Sequence, residues 1–239
     1  MKNYLVILAL VATLLSTESF GQDNQTTKND SPTMHILVAP ELYWSVGTTT
    51  SHAGFGGILG VDLGNSLQLG VEMAQGSAFL NTVEKERVED EFDMFFGSLR
   101  GEFSQWGIWG SYFVTDTLFL KTSLSQRRLK LHNDFTVAKI GEKFGQEDDT
   151  GFDAQYNVLG LSLGNEWRLN NGVLLSCEWF GVEYAAGGGK TSVNNLDVEG
   201  SGELQADADN FNEEMKGLSQ KATRQTSVKI LVAKVGYSF

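Results

Sequence analysis

Eight stretches of this sequence alternate apolar and polar residues, and the segments joining them run long, tight, long, tight, long, tight, long. A period of two puts successive side chains on opposite faces of a strand. The tight joints are Gly64 to Ser66, Thr115 to Thr117, and the hairpin signal Asn170 to Gly172. The longer ones fall near 46–52, 77–92, 133–152 and 187–224. An up-and-down barrel sorts its connections this way, with short turns at one end and long loops at the other. A soluble sandwich has no reason to do so. The pattern predicts an all-β, eight-stranded antiparallel transmembrane β-barrel over 34–239.

Composition agrees with strands. There are 27 glycines against 2 prolines, which suits twisted sheets and turns, and 41% of residues are apolar. Mean hydropathy is only −0.17, yet strands that are lipid-facing on one side alone keep that average low. A formal charge of −12 argues against nonspecific nucleic-acid binding, which needs basic surface. Residues 1–21 carry a positive start at Lys2, an apolar run from Tyr4 to Leu15, and small residues at Ser19 and Gly21. That is the order of an export signal. Residues 22–33 then read as a polar, disordered lead-in. Cys177 is the single cysteine, so no internal disulfide forms, and its parity suggests an outward-facing strand residue.

Parity divides each strand into a lipid face and a lumen face. Leu67, Leu69, Val71 and Met73 oppose Gln68, Gly70, Glu72 and Ala74; Leu159, Leu161, Leu163 and Trp167 oppose Ser162, Glu166 and Arg168. The same exercise places Glu41, Asp62, Glu72, Arg100, Glu102, Lys121, Arg127, Glu166, Arg168, Glu178 and Lys234 in the lumen. An eight-stranded interior is only wide enough for side chains. Buried ions must pair or stay wet, so the lumen is expected to be a closed, charge-paired network. The fourth strand fits poorly: Leu99 and Phe103 share a parity that Ile108 and Val114 do not, which predicts a β-bulge or a shifted boundary. Phe239, Tyr237, Phe113, Trp167 and Phe119 fall at inner strand ends, and Trp44, Phe55 and Tyr184 at outer ends, as aromatic girdles do.

Leu231, Ala233, Val235, Tyr237 and Phe239 alternate through the last strand. This segment resembles the C-terminal strand of Gram-negative outer-membrane barrels, and 34–239 is similar to the small OmpA/OmpX type without a periplasmic domain. The resemblance implies that those five residues signal to the barrel-assembly machinery. It also implies a monomer in the cell outer membrane, in contact with outer-membrane lipid and lipopolysaccharide.

Catalytic motifs are weak. His35, His52 beside Ser51, and His132 near Asp134 are the three histidines; of these, His132 with Asp134 and a loop serine is the best hydrolase arrangement, and no G-x-S-x-G elbow occurs. Asp207 and Asp209 start a calcium site but lack the loop pattern of one. The run from Gly187 to Ser192, GGGKTS, lacks the full phosphate-loop spacing. No cofactor or metal is expected. The reading favours a non-enzymatic surface structural or interaction protein acting on an unidentified extracellular ligand through acidic outer loops. A small channel or apolar-ligand conduit is the alternative, and a lipid A- or phospholipid-modifying enzyme comes after it.

Overall fold

In the computed structural model, the described residues are 35–64, 66–81, 84–86, 98–134, 149–187, 189–195 and 202–239. The export signal and lead-in expected over 1–33 lie outside them, as does the connection over 135–148. Among the described residues the main elements in chain order are β1 (His35–Gly47), β2 (Thr50–Asp62), β3 (Leu67–Leu80), β4 (Ser98–Phe113), β5 (Leu118–Asp134), β6 (Asp149–Arg168), β7 (Val173–Ala185), β8 (Lys190–Asn194), α1 (Gly202–Ala222) and β9 (Thr226–Ser238). Each long strand pairs antiparallel with its chain neighbours. β9 joins β7 to β1, and β5 pairs with β6 to complete the ring. The result is a closed, eight-stranded, up-and-down antiparallel barrel, with no lateral edge left in the ring. The short β8 adds to β6 beyond the end of β7, pairing Gly151 to Gln155.

The three tight turns lie at 64–66, 115–117 and 170–172 as expected, at the same end of the barrel as the start of β1 and the end of β9. The outer end differs from expectation at its first connection. Residues 46–47 and 50–52 belong to strands, so only Thr48 and Thr49 join β1 to β2. Gln225, just before β9, holds that turn. Its side-chain oxygen accepts from the Thr49 and Thr50 amides at 3.2 and 2.9 Å, and its amide donates to Thr50 Oγ1 at 2.7 Å.

Outside the ring, exposed apolar side chains form a continuous belt that includes Val38, Leu42, Leu59, Leu69, Val71, Ile108, Leu124, Leu161, Val182 and Val235. In water such a surface would be an aggregation liability. A bilayer-spanning barrel presents an apolar band to hydrocarbon, and alternation in the eight long strands supplies such a surface here. At the inner edge Tyr237 and Phe239 pack together with ring centroids 4.8 Å apart. Phe119, expected in that girdle, instead points inward and is 2% exposed: it shares parity with Lys121, and it packs on Phe113.

β4 carries no bulge. Its pairing with β3 and β5 runs unbroken, and the parity conflict has another source: Phe103 and Trp109 both face inward and are buried. Trp109 fits because β2 and β3 present glycines to it. A Cβ on Gly60 or Gly70 would stand 2.7 or 2.9 Å from its ring. The bulges lie elsewhere. Between Glu178 and Phe180, β7 has one residue more than β6, and β9 carries one more than β1 around Leu231, whose φ is +61°. The pairing of β7 with β9 keeps both extra residues side by side. Trp179 and Phe180 therefore both face out, as do Ile230 and Leu231, and inward parity switches at that level in both strands.

Candidate functional site: a charged lumen under a helical cap

Inward-facing side chains fill the lumen in layers. Nearest the inner turns, Gln68 donates to Glu166 at 2.8 Å, and Arg168 bridges Glu166 at 3.1 Å and Asp62. A small apolar layer follows: Leu37, Ala39, Ile58, Trp109 and Leu174. Above it, Lys121 lies 2.8 Å from Glu72 and 3.1 Å from Glu178. Lys234 is shared between Glu178 and Glu41. Ser162 donates to the second Glu178 oxygen at 2.8 Å.

A second charged layer sits further out. Arg127 donates to Gln105 at 2.8 Å and to Glu183 at 2.7 Å, and it also meets the Tyr43 hydroxyl. Tyr43 in turn donates to Glu183 at 2.7 Å, and Lys229 approaches the other Glu183 oxygen at 3.3 Å. Across the two layers, Glu41, Glu72, Glu178 and Glu183 face Lys121, Arg127, Lys229 and Lys234, all buried. Four negative and four positive charges sum to no net charge. An unpaired ion there would carry several kcal/mol of desolvation penalty.

The outermost layer is apolar. Ala78, Leu80, Phe103, Leu129, Leu131, Phe152 and Ala154 form its wall, and α1 lies across it. Ala208, Phe211, Met215, Leu218 and Ala222 are all at most 1% exposed; their spacing of three and four residues makes one helical stripe. The other side of α1, including Asp207, Asp209, Glu213 and Lys216, is exposed. Where α1 ends, Lys221 reaches Glu84 at 3.1 Å.

Of the residues read as lumenal from sequence, Glu41, Glu72, Lys121, Arg127, Glu166, Glu178 and Lys234 are buried inside, with Asp62 and Arg168 at the inner rim. Arg100 and Glu102 are a correction. They face outward and are exposed, because β4 without a bulge keeps Phe103 and Gln105 on the inner parity. Tyr43, Gln105, Glu183 and Lys229 were missed. The last two lie five residues from Glu178 and Lys234, an odd spacing that only a bulge reconciles. The consecutive large apolar pairs Trp179-Phe180 and Ile230-Leu231 were its signal.

The histidines do not converge. His35 Nδ1 lies 2.9 Å from the Phe239 carbonyl oxygen at the inner end. His52 is in β2 rather than a loop. It is fully buried, with Nδ1 3.2 Å from Ser45 Oγ, and Phe103 meets its ring edge-on. His132 is half-buried near the outer end of β5, and the Asp134 side chain lies outside the described residues. Asp207 and Asp209 are two apart on α1, a spacing that does not share a helix face. The GGGKTS run enters β8, a strand rather than a helix N-terminus.

No family model matches the chain, and no curated protein matches it. Among solved structures, it is similar to Neisserial surface protein A at 13% identity and a TM-score of 0.42, covering 86% of this chain and 97% of that one. A major outer membrane protein from Thermus thermophilus gives 12%, 0.42, 86% and 99% for the same quantities. Ail, the attachment invasion locus protein of Yersinia pestis, gives 11%, 0.39, 86% and 97%. These are distant likenesses of fold.

Proposed function

We propose that this protein is an outer-membrane barrel with a closed lumen, acting as a surface structural or interaction protein through its outer face. The observation that carries the reading is the filled interior: a neutral, mutually paired set of eight buried charges beneath an apolar chamber covered by α1. A solute path would have to break ion pairs and lift a helix. What is left to meet other molecules is the outer surface, where α1 shows Asp207, Asp209 and Glu213 and the connecting segments are rich in acids. In this reading residues 1–21 direct export. Leu231, Ala233, Val235, Tyr237 and Phe239, all exposed on the lipid side of β9, serve the assembly machinery. The surroundings are outer-membrane lipid and lipopolysaccharide, and the barrel is a monomer.

Labelling intact cells tests the placement. In a Cys177→Ser background, Lys216→Cys on α1 is expected to react with a membrane-impermeant maleimide, whereas Asp116→Cys in an inner turn reacts only after permeabilisation. The reverse pattern, or equal labelling of both, would overturn the proposal.

A further inference from the structure

On its lipid side the barrel carries a groove of about 500 Å³ across β2 to β5, lined by Phe55, Gln75, Ser77, Ser104, Arg128 and Lys130. Gly76, Phe103 and Glu102 also line it. The three central strands change character here. Met73, Trp106 and Leu124, on the inner side, are exposed and apolar; Gln75, Ser77, Ser104 and Arg128, on the outer side, are exposed and polar. That step marks where hydrocarbon gives way to headgroups.

The cations at the step are unequally committed. Arg128 Nε lies 3.0 and 2.9 Å from the two Asp153 oxygens, which fixes the guanidinium and leaves its Nη1 hydrogens for a second acceptor. Lys130 sits opposite Glu102 on β4 and Asp153 on β6. Even so, among the described residues it forms no ion pair with either. From the groove we infer that this is a binding site for a lipid phosphate. The phosphate sits against Lys130 and Arg128 with Ser77, Ser104 and Gln75 as hydrogen-bonding neighbours, and the acyl chains run down over Met73, Trp106 and Leu124. The Glu102 carboxylate limits the negative charge the groove tolerates. It thereby favours a singly charged phosphodiester on a lipid over free inorganic phosphate.

The site rests on the bilayer-spanning reading, and one experiment separates the two. The full chain is reconstituted in phosphatidylcholine vesicles, and the association of spin-labelled phosphatidylglycerol is measured against spin-labelled phosphatidylcholine. Wild type is expected to prefer phosphatidylglycerol. Lys130→Gln and Arg128→Gln should each lower that preference about fivefold, the effect of one basic residue near a charged surface, with Lys216→Gln on α1 unchanged. Lys130→Gln removes no ion pair among the described residues, and heat-dependent gel mobility verifies the folding of both variants. Equal preference in all four proteins overturns the site while the inserted barrel stands. Displacement of phosphatidylglycerol by millimolar inorganic phosphate also overturns it, assigning the groove to the free anion. Failure of wild type to insert overturns the site together with the spanning reading.

Discussion

The two halves of the lumen are closed by opposite physics. The inner half is filled by the strands' own charged side chains, tied across the barrel through Lys121, Glu178 and Lys234, then Arg127 and Glu183. The outer half is lined by leucine, phenylalanine and alanine and is covered by an element that does not belong to the ring. A charge pair in low dielectric is strongly held only while both members are present. An apolar interface is held by area and tolerates partial loss. The inner closure is therefore all-or-none, and the outer one is separable.

The largest effect that would break this contrast is expected at Glu178. Glu178→Leu leaves Lys121 and Lys234 each short of a partner, at a cost of about 3–5 kcal/mol, read as a lower urea midpoint in bilayers; a change under about 1 kcal/mol would mean that the network is solvated. Phe211→Ala comes next. Loss of its buried ring should weaken α1 docking by about 3 kcal/mol, seen as faster proteolysis within 202–222 with barrel gel mobility intact. If the barrel unfolds with it, the two halves are one cooperative unit.

Gly60→Ala places a methyl against the Trp109 ring and should cost about 1–3 kcal/mol by overpacking, with an altered Trp109 environment in near-ultraviolet circular dichroism. The smallest change is expected at Lys221→Ala. Its side chain is half-exposed where it meets Glu84, so the loss should stay below about 1 kcal/mol in the same urea titration, well under that of Lys229→Ala, which strips Glu183 of a buried partner.

Alternation made the ring legible in the sequence because lipid and lumen impose opposite chemistry on neighbouring residues. Leu69 against Glu72, or Leu161 against Ser162, needs no tertiary knowledge. The tight turns were legible for a different local reason, the glycine, asparagine and aspartate that short turns favour. Parity failed where one register was carried too far. Glu183 and Lys229 lie beyond paired bulges, and a bulge is set by what both strands do together. Arg100 and Glu102 were misplaced because charge was equated with lumen, whereas β4 to β6 carry polar residues on their outward faces near the outer end. The helix is not legible because 187–224 has the polar, glycine-containing composition of one long loop. Its stripe from Ala208 to Ala222 was present, but its small and polar neighbours hid a signal that acquires meaning only once an apolar chamber exists for it to cover.

Single-channel recording in planar bilayers tests the closed lumen most directly. Wild type and a variant lacking 202–222 are both predicted to give no discrete conductance steps, because the paired charges of the inner half block the path even when the outer chamber is uncovered. Stable steps in wild type, or steps that appear once α1 is removed, would contradict the account.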